Sequence, residues 1–119
     1  MHKIFAMPFA TVYPLYINKI QRKAKGHTTA QLDQAITWLT GYTTDEIAAH
    51  VAHQTTFTDF FTGAQINPNA GLITGTICGV KVQDIDDPLM QQIRYLDKLV
   101  DEIANGRPME KILRTPKPE

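Results

Sequence analysis

The chain has 119 residues, with twelve basic and twelve acidic side chains, no net charge, and one cysteine. That length predicts one domain, able to bury roughly 65% of the surface its unfolded form exposes. The lone Cys78 excludes an internal disulfide, and overall neutrality argues against a dedicated nucleic-acid binder.

The opening stretch, MHKIFAMPFATVYPLYI, is apolar but broken by Pro8 and Pro14, so it is not read as a signal peptide. No window approaches the ~20 apolar residues of a membrane span, and no membrane partner is expected. Residues 1–11 are expected to form an arm. Val12, Tyr13, Tyr16, Ile17, Ile20 and Ala24 then repeat at helical spacing, with Pro14 suited to the first turn. Lys19, Arg22 and Lys23 fall on a neighbouring face, and Gly26 stops the helix.

Thr28 or Thr29 can cap a second helix carrying Leu32, Ala35, Ile36 and Leu39, which Gly41 ends. Thr43 and Glu46 have capping-box spacing for a third, with Ile47 and Val51 as its stripe. A short helix starting near Thr56 carries Phe57, Phe60 and Phe61, and Asn67-Pro68 reads as another capped start. For NAGLITGTICGV the glycines at 71, 75 and 79 argue against a strand. A loose helix to about Cys78, a turn at Gly79 and a helical turn ending near Ile85 are expected. Asp87 caps Pro88, and a long helix to about Asn105 carries Leu89, Ile93, Leu96, Val100 and Ile103. Lys98 and Glu102, with Asp97 and Asp101, mark its wet side. Pro108 opens a last turn or two through Leu113, and residues 114–119 fray. The two glycine corners, WLTGYTTDEI at 38–47 and TICGVKVQDI at 76–85, share offsets, which are read as simple helix joins rather than as a duplication.

VYPLY at 12–16, the Lys-rich helix end with Gly26 and Thr28, LDQAITWLTGY at 32–42, INPNA at 66–70 and ICGVKVQDIDDPLMQQIRYLDKLVDEI at 77–103 resemble a family of short bacterial proteins, the domain of unknown function 2200. The resemblance covers nearly the whole chain. It implies a small, mostly helical cytosolic protein and implies no activity or catalytic residue.

The chemistry-bearing residues point the same way. His50 and His53, three apart on a helix, are too few for a zinc site, which takes three or four ligands. Cys78, beside Ile77 at an apolar helix end, reads as a buried packing thiol rather than a nucleophile. DIDDP at 84–88 lacks the glycine and closing glutamate of a calcium loop and reads as helix capping. The glycine run lacks the lysine of a phosphate loop. The corner at Gly79 has helix-turn-helix spacing, but its three following acids would repel phosphates. No catalytic residue, metal or cofactor is therefore assigned.

Charge is more informative. Residues 1–32 carry Lys3, Lys19, Arg22, Lys23 and Lys25 and no acid, while residues 26–80 carry no Lys or Arg. Lys19, Arg22, Lys23, Lys25 and His27 are the candidate binding residues, against the alternative that cations simply complement a helix C-terminus. The expectation is an all-α single domain over residues 1–119: an orthogonal bundle of five to seven short helices joined by glycine turns, with a longer C-terminal helix. Its expected role is a non-catalytic cytoplasmic interaction module that binds a protein partner or itself. The alternatives are a weak nucleic-acid binder through the first helix, or a small enzyme in which His27, Tyr42, His50 and Asp59 meet in a cleft.

Overall fold

A computed structural model describes residues 3–23 and 25–116. These form six α-helices: α1 Phe9–Lys23, α2 Thr29–Thr40, α3 Thr44–Ala52, α4 Phe57–Thr62, α5 Pro88–Ala104 and α6 Met109–Ile112. Short 3₁₀ turns at Lys3–Ala6, Pro68–Leu72 and Val82–Asp84 and one two-stranded hairpin complete the described chain. The fold is compact and mostly helical, as the apolar periodicity predicts. Helix α5, 17 residues long, is the brace, and it touches α1, α2, α4 and α6.

Three helix starts follow the cap chemistry expected of them. Thr28 and Gln31 close a capping box on α2, Thr43 and Glu46 close one on α3, and the Asp87 carboxylate accepts from the Met90 N–H at 3.0 Å. Gly41 ends α2 at φ 77°, donating to the Thr37 carbonyl, a left-handed cap that a Cβ would strain. Two more α2 carbonyls, on Leu39 and Thr40, accept from the backbone N–H groups of Asn67 and Gln65. Such bonds satisfy the acceptors that every helix leaves orphaned. The core then closes around Phe9, Phe57 and Phe60, with the Phe9 and Phe60 rings stacked at 4.3 Å, and around Leu32, Ile36, Ile93, Leu96 and Ile103.

The structure departs from expectation at four places. Helix α1 begins at Phe9, so Pro14 lies inside it and not in its first turn. The proline removes the bond that the Ala10 carbonyl would accept. Burial of Phe9 outweighs that loss, and a bridge between Pro8 and Thr56 fixes where the helix begins.

Residues 73–81 are not helical. Thr76–Ile77 (β1) and Val80–Lys81 (β2) pair antiparallel through a two-residue turn. Both turn residues have positive φ, Cys78 at 53° and Gly79 at 78°, the signature of a type I′ hairpin. Glycines discouraged a strand reading, yet Gly79 is the residue such a turn demands, and Thr76, Ile77 and Val80 are β-branched. The turn at Gly79 and the helical turn ending near Ile85 are as expected, but the corner joins strands. Helix-turn-helix geometry is therefore absent there. Cys78 is consequently exposed, not a buried packing thiol.

The fourth departure is Glu102, which is only 6% exposed although its spacing placed it on the wet side of α5. The cause is the segment that follows. Gly106, at φ 81°, reverses the chain: its N–H bonds Ile103 O and the Arg107 N–H bonds Glu102 O, a Schellman motif. The returning segment covers Glu102. The tail expected to fray from residue 114 thus begins with an anchored residue, and residues 117–119 lie outside the described ones.

Candidate functional site

The five residues expected to bind are not equivalent. Lys19 is used internally, its Nζ lying 3.2 Å from an Asp101 oxygen on α5. The His27 Nε2 donates to the Arg107 carbonyl at 2.8 Å, which fixes the proton on that nitrogen. Arg22, Lys23 and Lys25 are exposed, and none has an ion-pair partner among the described residues. Lys25 packs against Gly106, where an added Cβ would stand 2.9 Å from the Lys25 Cβ.

These contacts bring the end of α1 beside the segment after α5, which carries cations that the sequence reading did not single out. Arg107, Lys111 and Arg114 line one cleft of about 410 Å³ with Leu72, Thr74 and Thr115. They are spaced four and three apart, but Arg107 and Arg114 lie outside helix α6, and the mixed charge of the C-terminal third hid them. Beneath them lies Glu102. The Arg114 guanidinium grips it with both nitrogens, Nη2 to Oε2 at 2.7 Å and Nη1 to Oε1, and Arg107 Nη1 reaches Oε2 at 2.8 Å. Two of the three cations share one carboxylate and Lys111 has no ion-pair partner among the described residues, so the cleft is left electropositive.

Elsewhere the polar groups are spent on structure. The Tyr16 hydroxyl donates to an Asp97 oxygen at 3.0 Å, and Arg94 holds the other Asp97 oxygen at 2.8 Å. Burial, then the Asp97 charge, raises the Tyr16 pKa well above 10. A smaller cleft of about 220 Å³ is lined by Tyr13, Asp33, Thr44, Ile47, Ala48 and Val51. Its one polar pair is the Tyr13 hydroxyl donating to Asp33 at 2.5 Å, and burial followed by Asp33 raises that tyrosine's pKa too. A phenol held protonated in this way is a poor nucleophile or base.

His27, Tyr42, His50 and Asp59 do not assemble as one catalytic set. Tyr42 and His50 do meet, with ring centroids 4.5 Å apart. The Tyr42 hydroxyl is committed to the Phe60 carbonyl at 2.6 Å, and His50 Nδ1 pairs with the Thr55 hydroxyl at 3.0 Å. Asp59 is exposed on α4, and His27 is held at Arg107. Burial lowers the His50 pKa, with Glu46 opposing. His53 is exposed at the end of α3, and among the described residues no three His, Cys, Asp or Glu side chains are placed to hold a metal. Cys78 Sγ lies 3.6 Å from Arg94 Nη1 at the surface.

Fold and surface together define a small, mostly helical protein with a cationic end. The family profile described as an uncharacterized protein conserved in bacteria matches residues 3–114, and the chain belongs to that family. It is also similar to the crystal structure of uncharacterized protein SP1917, at 43% identity and a TM-score of 0.87, covering 95% of this chain and 92% of that one. None of the curated proteins matches. No helix among the described residues is long and apolar enough to cross a membrane.

Proposed function

We propose that the protein is a non-catalytic interaction module of the bacterial cytoplasm that binds an acidic protein partner through the cationic end of α1. The supporting observation is convergence. Arg22, Lys23 and Lys25 come from the first quarter of the chain, and Arg107, Lys111 and Arg114 from the last. Contacts of Lys25 with Gly106 and of His27 with Arg107 set the two groups side by side. The dipole of α1 favours cations at its own last turn, but it does not require Lys111 or Arg114 nearby.

The surface suits protein better than nucleic acid. Leu72, 45% exposed, stands in the cationic cleft, and no aromatic side chain lines it for base stacking. Affinity purification with the wild-type chain and with the triple variant Arg22→Ala, Lys23→Ala, Lys25→Ala tests the reading. A specific acidic protein should be recovered with the wild type, reconstitute with purified components, and be lost with the triple variant at unchanged helicity. Recovery of nothing specific, or equal recovery by both proteins, contradicts it. A salt-sensitive shift of RNA or DNA that the triple variant loses would instead support nucleic-acid binding.

A further inference from the structure

We infer that the cleft formed by Leu72, Thr74, Arg107, Lys111, Arg114 and Thr115 is a phosphate-recognition site, taking the dianion of a phosphate monoester. This extends the reading above and stands without it, because a small phosphate could bind where no protein partner does. The argument begins with charge. Arg107, Lys111 and Arg114 line a space of about 410 Å³, and the one carboxylate among them, Glu102, is buried and already shared by the two arginines. Two positive charges remain uncompensated, which matches a dianion.

Preorganisation is the second observation. Glu102 clamps the Arg114 guanidinium edge-on, and the Ile112 carbonyl accepts from the same Nη1 at 2.8 Å. Arg107 is held at one nitrogen and its side chain is 44% exposed, so its remaining N–H groups are free to face the cleft. Rotamer entropy that a free arginine loses on binding is thus already spent, and guanidinium forks suit phosphate oxygens. Lys111 adds an exposed ammonium. Thr74 and Thr115, exposed on opposite segments, bring hydroxyl donors for the remaining oxygens. Leu72 supplies an apolar wall for the group that carries the phosphate. A carboxylate ligand would use one fork and leave the second charge unmatched.

The dianion is shared by phosphorylated metabolites and phosphorylated side chains. Amide chemical-shift titrations of the full chain at about pH 8, well above the second pKa of about 6 of a phosphate monoester and high enough for inorganic phosphate to be mostly the dianion, separate the cases. Inorganic phosphate should give saturable shifts at residues 72–74, 107 and 111–115, while acetate at equal ionic strength should not. Lys111→Glu, at an exposed position whose change leaves the fold intact, should weaken binding about tenfold or more, the worth of one charge-assisted contact. The triple variant at Arg22, Lys23 and Lys25 should bind phosphate as the wild type does, so failure of the partner reading and failure of this one are distinct. Glycerol phosphate and a phosphoserine peptide then assign the source by which binds more tightly. Non-saturating shifts, equal shifts with acetate, or undiminished binding by Lys111→Glu would overturn the site.

Discussion

Cys78 holds a left-handed backbone with φ 53°, a conformation that costs an L-residue roughly 1–2 kcal/mol. Asparagine tolerates it better, so Cys78→Asn is expected to stabilise the chain by a few tenths to about 1 kcal/mol in urea unfolding, and Cys78→Val to destabilise it by about as much. Glu102 is the residue whose loss should matter most among the charged ones. Its replacement by alanine leaves two guanidiniums without their carboxylate, and roughly 3–5 kcal/mol of stability should go with it. Lys19→Ala breaks an ion pair whose partners are each about one-third exposed, 33% and 29%, and should cost no more than about 1 kcal/mol. Equal costs for Glu102→Ala and Lys19→Ala in parallel denaturant titrations would mean that the charge clamp does not hold the C-terminal segment.

At the scale of elements, the helices were legible because each carries an apolar stripe and its own start and stop signals. Helix α5 is clearest, since Ile93, Leu96, Val100 and Ile103 are all buried on one face. The box at Thr43–Glu46 was readable from spacing alone, whereas at α2 only a threonine cap at Thr28 or Thr29 was, and Thr43→Ala should cost roughly 1 kcal/mol with helix α3 fraying first in hydrogen exchange. The hairpin was not legible because a type I′ turn is favoured by the same glycines that weaken a strand. Two further interactions secure it. Lys98 Nζ donates to the Thr76 carbonyl at 3.2 Å, and Val82, fully buried, plugs the following turn into the core beneath α5. Half of the candidate site was equally hidden. The end of α1 announces itself as an acid-free run of cations, whereas Arg107, Lys111 and Arg114 gain meaning only once Gly106 turns the chain back over Glu102. Periodicity alone put Glu102 in solvent because it cannot see a segment that returns to cover its own helix.

For the whole molecule, charge and titration give two expectations. Folding lowers the His50 pKa, chiefly by burial, so the unfolded chain binds that proton more readily. Stability is then present above the ordinary value of 6.5 and falls as pH drops below it, and His50→Gln should flatten that fall. Tyr13 and Tyr16 work at the other end. Their folded pKa values lie above 10, so stability declines as pH climbs past 10, and the double change to Phe should reduce that decline in thermal melts.

Binding depends on where positive charge is left unspent. Lys19, Arg94 and Lys98 are paired with α5 carboxylates and Arg107 and Arg114 share Glu102, while Arg22, Lys23, Lys25 and Lys111 have no ion-pair partner among the described residues. Amide chemical-shift mapping of the intact protein with a leucine-containing acidic peptide at low salt tests this most directly. The account predicts salt-sensitive shifts clustered at residues 22–27 and 106–107. Shifts scattered over the surface, or centred on the Tyr13–Asp33 cleft, would contradict it.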